Sequence, residues 1–315
     1  MSANAPQRVL VLSGGLSPER DVSLRSGRRV AEALRSAQPA WEVIEADVDA
    51  GLLPYLIEHR PDCVVPLLHG AAGEDGALRD VLESMDIPFV GSDASASRLA
   101  FDKPVAATLV SGTGVAVPEF VVLPQSTFRE LGAPAVMKAV GERIGFPLVV
   151  KPTRGGSALG VSIVHHDRDL PPAMVSAFSY GETAMIQRFI TGTELAIGVI
   201  DTADGPRALP AVEIVPESGV YDYHARYTAG TTEFFCPARL DDDVASAVSD
   251  VALTAHAALG LSDMSRTDVI VDAQNTVWFL EVNVAPGMTE TSLLPQAIAA
   301  AHLSVGEVIA SFVVD

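Results

Sequence analysis

Lysine is almost absent from this chain. Three residues, Lys103, Lys138 and Lys151, stand beside 18 arginines, and 40 acidic residues outweigh them all to leave a formal charge of −19. Nucleic acids and anionic membranes are gripped by clustered positive charge, so neither is expected as a partner. Cysteine is as scarce: Cys63 lies in an apolar strand and Cys236 beside Pro237, with no metal-ligand spacing and no disulfide framework. No apolar run reaches the roughly 20 residues a spanning helix needs. Ala3-Asn4-Ala5-Pro6 leads into a strand without the apolar core and cleavage site of a leader, so the expected location is the cytoplasm. Two glycine signatures are missing as well. No Gly-Lys-Ser/Thr follows any glycine loop, which excludes a P-loop, and Gly14-Gly15 lacks the full GxGxxG spacing, which removes a dinucleotide dehydrogenase. There is no internal repeat or low-complexity tract. A composition 48% hydrophobic and 19% charged over 315 residues is that of a globular protein with two or three domains.

The most informative stretch is Arg266–Asp272, a turn over 272–275, and Thr276–Thr289. Alternation along the second strand places Glu281 and Asn283 on one face and Trp278, Leu280 and Val282 on the other. Antiparallel pairing brings Asp268 beside Glu281 and Asn283, and Val269 and Val271 are expected to join Leu280 and Val282 on the buried face. Two carboxylates and an amide oxygen together suit a hard cation such as Mg²⁺, which takes one or two carboxylates plus substrate phosphates; a solvated acidic hairpin is the alternative. Arg266 leans to the same face, and Pro286-Gly287 ends the strand with an N–H free to meet an anion.

Upstream, Arg8–Ser13 reads as a strand buried on both faces, then a glycine loop carrying Glu19, then a helix from Ser26 to Leu34. Glu19 is either an acid favoured by the helix dipole or a ligand-binding residue after the first strand of an open α/β sheet. Asp62–Leu68 delivers His69-Gly70-Ala71-Ala72-Gly73-Glu74-Asp75-Gly76. Residues 94–111 are expected to form one helix with Lys103 in its middle, and 117–122 a strand. The strand 146–152 ends in Lys151, and Gly155, Gly156, Ser157 and Gly160 follow as either a phosphate-approaching flap or an ordinary glycine hairpin. Strands at 184–190 and 191–199 come next, and 220–238 reads as an aromatic lid loop between strands or a surface loop with tyrosines packed beneath it. A helix at 241–259, stopped by Gly260, leads to the acidic hairpin.

Arg-Thr-Asp at 266–268, Glu-Val-Asn-Val-Ala-Pro-Gly-Met-Thr at 281–289, His-Gly-x-x-Gly-Glu-Asp-Gly at 69–76 and the glycine flap after Lys151 resemble the D-alanine–D-alanine ligases of the ATP-grasp superfamily, over nearly the whole chain. The resemblance implies an α/β protein with a Rossmann-like N-terminal domain (1–92) and a two-part ATP-grasp fold, central (93–187) and C-terminal (188–315). It implies ATP-dependent joining of two D-alanines through an acylphosphate, with two Mg²⁺ that Mn²⁺ can replace, in a cytoplasmic homodimer serving peptidoglycan precursor synthesis. Lys103 and Lys151 then match the two ATP-binding lysines. The backbone near Arg188 and Ile190, with Gln187, meets the adenine, and Glu194 meets the ribose. Glu19 holds the first substrate's ammonium near His69, and Tyr227, Ser157 and Glu19 form a closing trio. Arg266 with the Gly287 N–H serves the oxyanion, and Ser292 and Leu293 serve the second carboxylate. Three positions depart from the family: Gln187-Arg188 replace Glu-Lys, and Arg226 replaces a lysine, which keeps the charge and changes its shape. Two other readings use the same scaffold, a ligase for other amino acids or amines and a non-catalytic nucleotide-binding regulator.

Overall fold

The computed structural model describes residues 7–314 apart from 218, 223, 224, 227 and 229. Three sheets carry the chain. The first is parallel, with β1 (Arg8–Ser13) between β2 (Glu42–Asp47) and β3 (Cys63–Pro66), Val9 lying opposite both Val43 and Cys63. The unbroken apolar run of β1 is buried on both faces, as a central parallel strand requires. Its crossover helix begins at Arg20 rather than near residue 26, because the turn at Ser17 already closes the first backbone bond, Arg20 N–H to Ser17 C=O at 3.1 Å. Glu19 therefore sits at the helix's N-terminal edge instead of mid-loop.

The second sheet is antiparallel, in the order β4 (Phe120–Pro124), β7 (Thr183–Arg188), β5 (Leu148–Pro152), β6 (Ser162–Val164). Helices Ala133–Ile144 and Leu170–Phe178 cover it and close a separate core around Val140, Ile144, Leu148, Met174 and Ile186. The third sheet runs β11 (Thr232–Phe235), β10 (Val212–Pro216), β8 (Thr193–Ile200), β12 (Met264–Val271), β13 (Val277–Asn283), with β9 (Arg207–Ala208) on β8. Helix Asp242–Ala258 lays Val244, Val248 and Ala252 over Leu195, Ile197 and Val269.

Two further expectations fail locally. Residues 94–111 form two helices, Ala94–Phe101 and Lys103–Ser111. Asp102 takes an extended conformation and its carboxylate accepts from the Val105 N–H, while Pro104 suits only a first turn. Lys103 thus opens a helix instead of lying within one. Both helices pack on β13, where Ala96, Ala100, Ala106 and Val110 join Phe279 and Val282. On the acidic hairpin, Asp268 pairs with Glu281 as expected, but the register shifts between Asp268 and Val269, so that Val269 faces Phe279. This bulge breaks the period of two. Phe279 is buried beneath the sheet with Val282, whereas Leu280 turns to the cleft side with Ile270.

The last helices, Leu293–Ala300 and Val305–Val314, return to the first sheet. Gly306 approaches helix Arg20–Ala37 so closely that a Cβ would stand 2.3 Å from the Ala33 carbonyl oxygen. Val9, Val11, Val30 and Leu34 share one core with Met264, Met288, Ile298, Ile309 and Phe312. Among the described residues no single helix is long and apolar enough to cross a membrane.

Candidate active site

Two pockets meet where the three sheets converge, and their walls have Lys103, Gly155, Gly156, Tyr221, Arg226 and Glu281 in common. One lies between the second and third sheets. It brings together Lys151 from β5, Gln187 and Arg188 from β7, Ile190 just beyond, Glu194 from β8, Asp268 from β12 and Glu281 from β13. Val149, Ile163, Ile270 and Leu280 form apolar walls fit for a flat ring. The other lies toward the first sheet and gathers Glu19, His69, Ser157, Arg266, Asn283, Gly287, Ser292 and Leu293. Every residue singled out from the sequence lines one of these pockets except Tyr227, which lies outside the described residues.

The junction is dominated by cations around one anion. Lys103 Nζ donates to the Gly155 carbonyl at 2.5 Å and lies 3.4 Å from a Glu281 oxygen. Burial pushes the Glu281 carboxyl up, but Lys103, Lys151, Arg226 and Arg266 together outweigh it and hold the group down at about 2. Arg266 donates from Nε and Nη2 to the two oxygens of Asp268, at 2.7 and 2.9 Å, with Asn283 opposite it across the ladder. Asn283 Oδ1 accepts the Ala285 N–H at 2.8 Å and retains a second lone pair. Among the described residues no three His, Cys, Asp or Glu side chains gather as a metal cluster. Asp268, Glu281 and Asn283 instead supply two carboxylates and an amide oxygen, a donor set that fits Mg²⁺ completed by phosphate oxygens.

Lys151 is buried on β5, with no carboxylate within ion-pair distance among the described residues. Burial, reinforced by the charge of Lys103 and partly relieved by Glu281, lowers its ammonium to about 8. An anion bound beside it favours the protonated form. Below pH 8 the lysine is already charged and a phosphate ligand binds at full strength; above pH 8 each binding event must take up a proton. If Lys151 meets the phosphates of the ATP that the resemblance implies, KM for ATP should be flat from pH 7 to 8 and then rise by up to about tenfold per pH unit. Lys151→Arg, which stays charged, should remove that rise. A wild-type KM unchanged up to pH 9.5 contradicts the assignment.

Glu194 is half-buried, and burial pushes its carboxyl up to about 7, with Arg226 opposing and Asp268 and Glu281 reinforcing the shift. Gln187 donates its amide to the Pro118 carbonyl at 3.5 Å, which leaves its oxygen as an acceptor. The Arg188 guanidinium turns away to Glu119 at 2.9 Å, so this residue offers the cleft its backbone. Arg226 stacks on the Tyr221 ring, 4.3 Å from its centroid.

In the second pocket the Ser157 hydroxyl donates to Glu19 Oε1. Ser157 and Ala158 both take left-handed backbone angles, φ 52° and 56°, a conformation that non-glycine residues keep only where their surroundings enforce it. His69 is buried, and burial together with Arg266 lowers its imidazole to about 4, against the hydrogen bond that raises it. It is neutral, with Nδ1 3.1 Å from the Ala285 carbonyl and Nε2 3.4 Å from Ser26 Oγ. It therefore pins two loops together and carries no charge to substrate. A Cβ at Gly287 would lie 2.8 Å from Ser292 Oγ, so any side chain there would turn that hydroxyl aside. Ser292 Oγ accepts the Thr289 N–H at 3.0 Å, and Leu293 opens the following helix.

Glu74 and Tyr221 are among the wall residues that escape a reading of the sequence. Glu74 is buried, and burial plus the charge of Glu19 pushes its carboxyl up to about 7, with the Gly70 N–H donating to it at 2.8 Å. Its signal was available, an acid inside the glycine-rich segment 69–76. Tyr221 borders both pockets, and nothing distinguishes it in sequence from Tyr223 and Tyr227 beside it.

Comparison with known proteins gives the family. Residues 109–314 match the family model described as D-ala D-ala ligase C-terminus. The D-alanine–D-alanine ligase of Anaeromyxobacter dehalogenans is 42% identical over 305 residues, covering 96% of this chain and 95% of that protein. The chain belongs to the D-alanine–D-alanine ligase family. Among family structures, the VanG D-Ala:D-Ser ligase of Enterococcus faecalis superposes with a TM-score of 0.84 at 28% identity, covering 98% of this chain and 99% of the other. The D-alanine–D-alanine ligase of Bacillus anthracis complexed with ATP does so at 0.78 and 27%, with 98% and 95% covered.

Proposed function

We propose that this family member joins two D-alanines to D-alanyl-D-alanine at the expense of ATP, for peptidoglycan precursor synthesis. The observation that carries the reading is the junction itself: a nucleotide-shaped cleft and an amino-acid-sized pocket share Lys103 and Glu281. ATP places its adenine against Gln187 and the backbone of Arg188 and Ile190, its ribose at Glu194, and its phosphates between Lys103, Lys151 and Arg226. Asp268, Glu281 and Asn283 would hold Mg²⁺, two ions in the full reading, and the metal shields phosphate charge. Glu19, oriented by Ser157, receives the ammonium of the first D-alanine, whose carboxylate oxygen attacks the γ-phosphorus. The bond to ADP breaks and an acylphosphate forms. The amine of the second D-alanine, held at Ser292 and Leu293, attacks the acyl carbon, and Arg266 with the Gly287 N–H stabilises the oxyanion until phosphate departs. Tyr227 closes the trio with Ser157 and Glu19.

The architecture is read as a Rossmann-like unit (1–92) followed by the two halves of an ATP-grasp fold (93–187 and 188–315), with helices 94–111 packed on the third sheet. A cytoplasmic homodimer completes the proposal.

D-alanine alone, with ATP and Mg²⁺, should yield ADP and D-alanyl-D-alanine in equal amounts. Glu19→Gln should raise KM for the first D-alanine at least tenfold and leave KM for ATP within twofold, since a charge-assisted bond is worth about 1.5–3 kcal/mol. The likeness to a D-Ala:D-Ser ligase favours one alternative, D-serine as acceptor. Mixed-substrate assays with product masses decide it: no ADP above background with D-alanine, and turnover with another amino acid, would replace the D-alanine assignment.

A further inference from the structure

We propose that Glu74 is the base that takes a proton from the ammonium of the second amino acid and so frees its amine for attack. The inference rests on the ligase reading above. An amino acid arrives as a zwitterion whose nitrogen has no lone pair, so the second step cannot begin until one proton has a destination.

The pocket that gathers Glu19 and Ser292 offers few acceptors. Glu281 is held down at about 2 by the cations around it, too weak a base near neutral pH. Glu19 Oε1 accepts the Ser157 hydroxyl, and its charge is committed to the ammonium of the first substrate. His69 is lowered to about 4, and both of its ring nitrogens are engaged, at the Ala285 carbonyl and at Ser26 Oγ. Burial pushes the Tyr221 hydroxyl up, so it keeps its own proton. Glu74 remains.

Glu74 lines the same wall and is 7% exposed. Its Oε1 accepts the Gly70 N–H at 2.8 Å, while Oε2 has no hydrogen-bond partner among the described residues. Arg79, buried on the following helix, donates to the Gly73 carbonyl and forms no ion pair with Glu74. Three charges act across the pocket on this carboxyl: Glu19 pushes it up, and Lys103 and Arg266 draw it down. In the ligase reading these groups meet the first ammonium, the phosphate and the oxyanion, which together surround the acyl carbon. The attacking amine must stand among them, and Glu74 faces the same space. Burial and Glu19 prevail and set the carboxyl at about 7, the range in which a base both accepts and returns a proton at neutral pH.

The protons balance. The nitrogen of the acceptor gives one to Glu74 and keeps the electron pair, which forms the bond to the acyl carbon. The bond from that carbon to the phosphate oxygen then breaks, a second proton leaves the nitrogen with the phosphate, and Glu74 returns the first to water.

The test compares two nucleophiles at saturating ATP, with D-alanine as donor and both products read by mass. Hydroxylamine is uncharged at neutral pH and attacks the acylphosphate without prior loss of a proton, giving D-alanine hydroxamate. Glu74→Gln keeps the size and the oxygen that accepts the Gly70 N–H. At pH 7.5 it should lower D-alanyl-D-alanine formation about a hundredfold or more, as loss of a general base does, and leave hydroxamate formation within about threefold. In wild type, kcat/KM for the acceptor should rise up to about pH 7 and then level, because only the ionised carboxylate accepts a proton; in Glu74→Gln it should climb about tenfold per pH unit from 7 to 9, following the free amine. Glu74→Asp should recover part of the peptide rate. Equal loss of both products in Glu74→Gln, peptide formation within tenfold of wild type, or a wild-type profile with no fall below pH 7 overturns the proposal and leaves the ligase reading standing. Wild type that forms neither product removes both.

Discussion

Glu281→Gln should lower ADP release by about a thousandfold while the protein still folds. Glu281 is the anion at which the two pockets join, held ionised by Lys103, Lys151, Arg226 and Arg266. The substitution preserves its size and one oxygen but removes the charge that a dication requires, and four cations lose their common counter-ion. A loss of about 4 kcal/mol in transition-state stabilisation corresponds to that factor. A melting transition close to wild type together with near-normal ADP release would show that the hairpin does not hold the metal. Raised Mg²⁺ should restore part of the rate, which a purely structural defect would not permit.

The second large effect is expected at Arg266. Replacing it by an apolar residue strands the buried Asp268 carboxylate, and breaking such a pair costs about 3–5 kcal/mol of stability, which would confuse loss of fold with loss of chemistry. Arg266→Lys keeps the charge but has a single nitrogen, which cannot both hold Asp268 in place of the two-nitrogen grip and reach an oxyanion. If Arg266 meets the oxyanion, dipeptide formation should fall on the order of a hundredfold, as for the loss of one oxyanion donor. ADP formation should fall less, because the acylphosphate forms before that oxyanion exists and then hydrolyses. The dipeptide-to-ADP ratio should therefore drop well below one. A ratio that stays at one with a rate within tenfold of wild type would remove Arg266 from this role.

What the sequence made legible follows from how each residue is positioned. Asp268 beside Glu281, and Lys151 at the end of a buried strand, depend on strand pairing and alternation, which are local. The bulge at Leu280 is invisible to the same rule, because one inserted residue moves Phe279 to the buried side and Leu280 to the cleft. Period-two reasoning reports the opposite. Lys103 lines both pockets but opens a helix instead of lying within one: an apolar pattern runs on from 94 to 111, and only the Asp102 cap with Pro104 reveals the break that lets Lys103 reach Gly155 and Glu281. Glu74 shows a different limit. Its acid is plain in sequence, but its burial near the charge of Glu19 arises from two segments far apart in sequence, the helix Ala71–Glu74 and the cap of the first helix, meeting in space.

The return of the final helix to the first sheet has a consequence for the history of each molecule. Val9 and Val11 complete their core with Ile309 and Phe312, more than 290 residues downstream, whereas the second sheet closes a core from residues 121–186 alone. During synthesis the middle of the chain can become native while the ribosome is still working. Strand β1 must wait, its apolar face uncovered, until the helix Val305–Val314 emerges. This strand, made before the second sheet, is thus finished after it, and a chain cut short before Phe312 lacks one wall of that core.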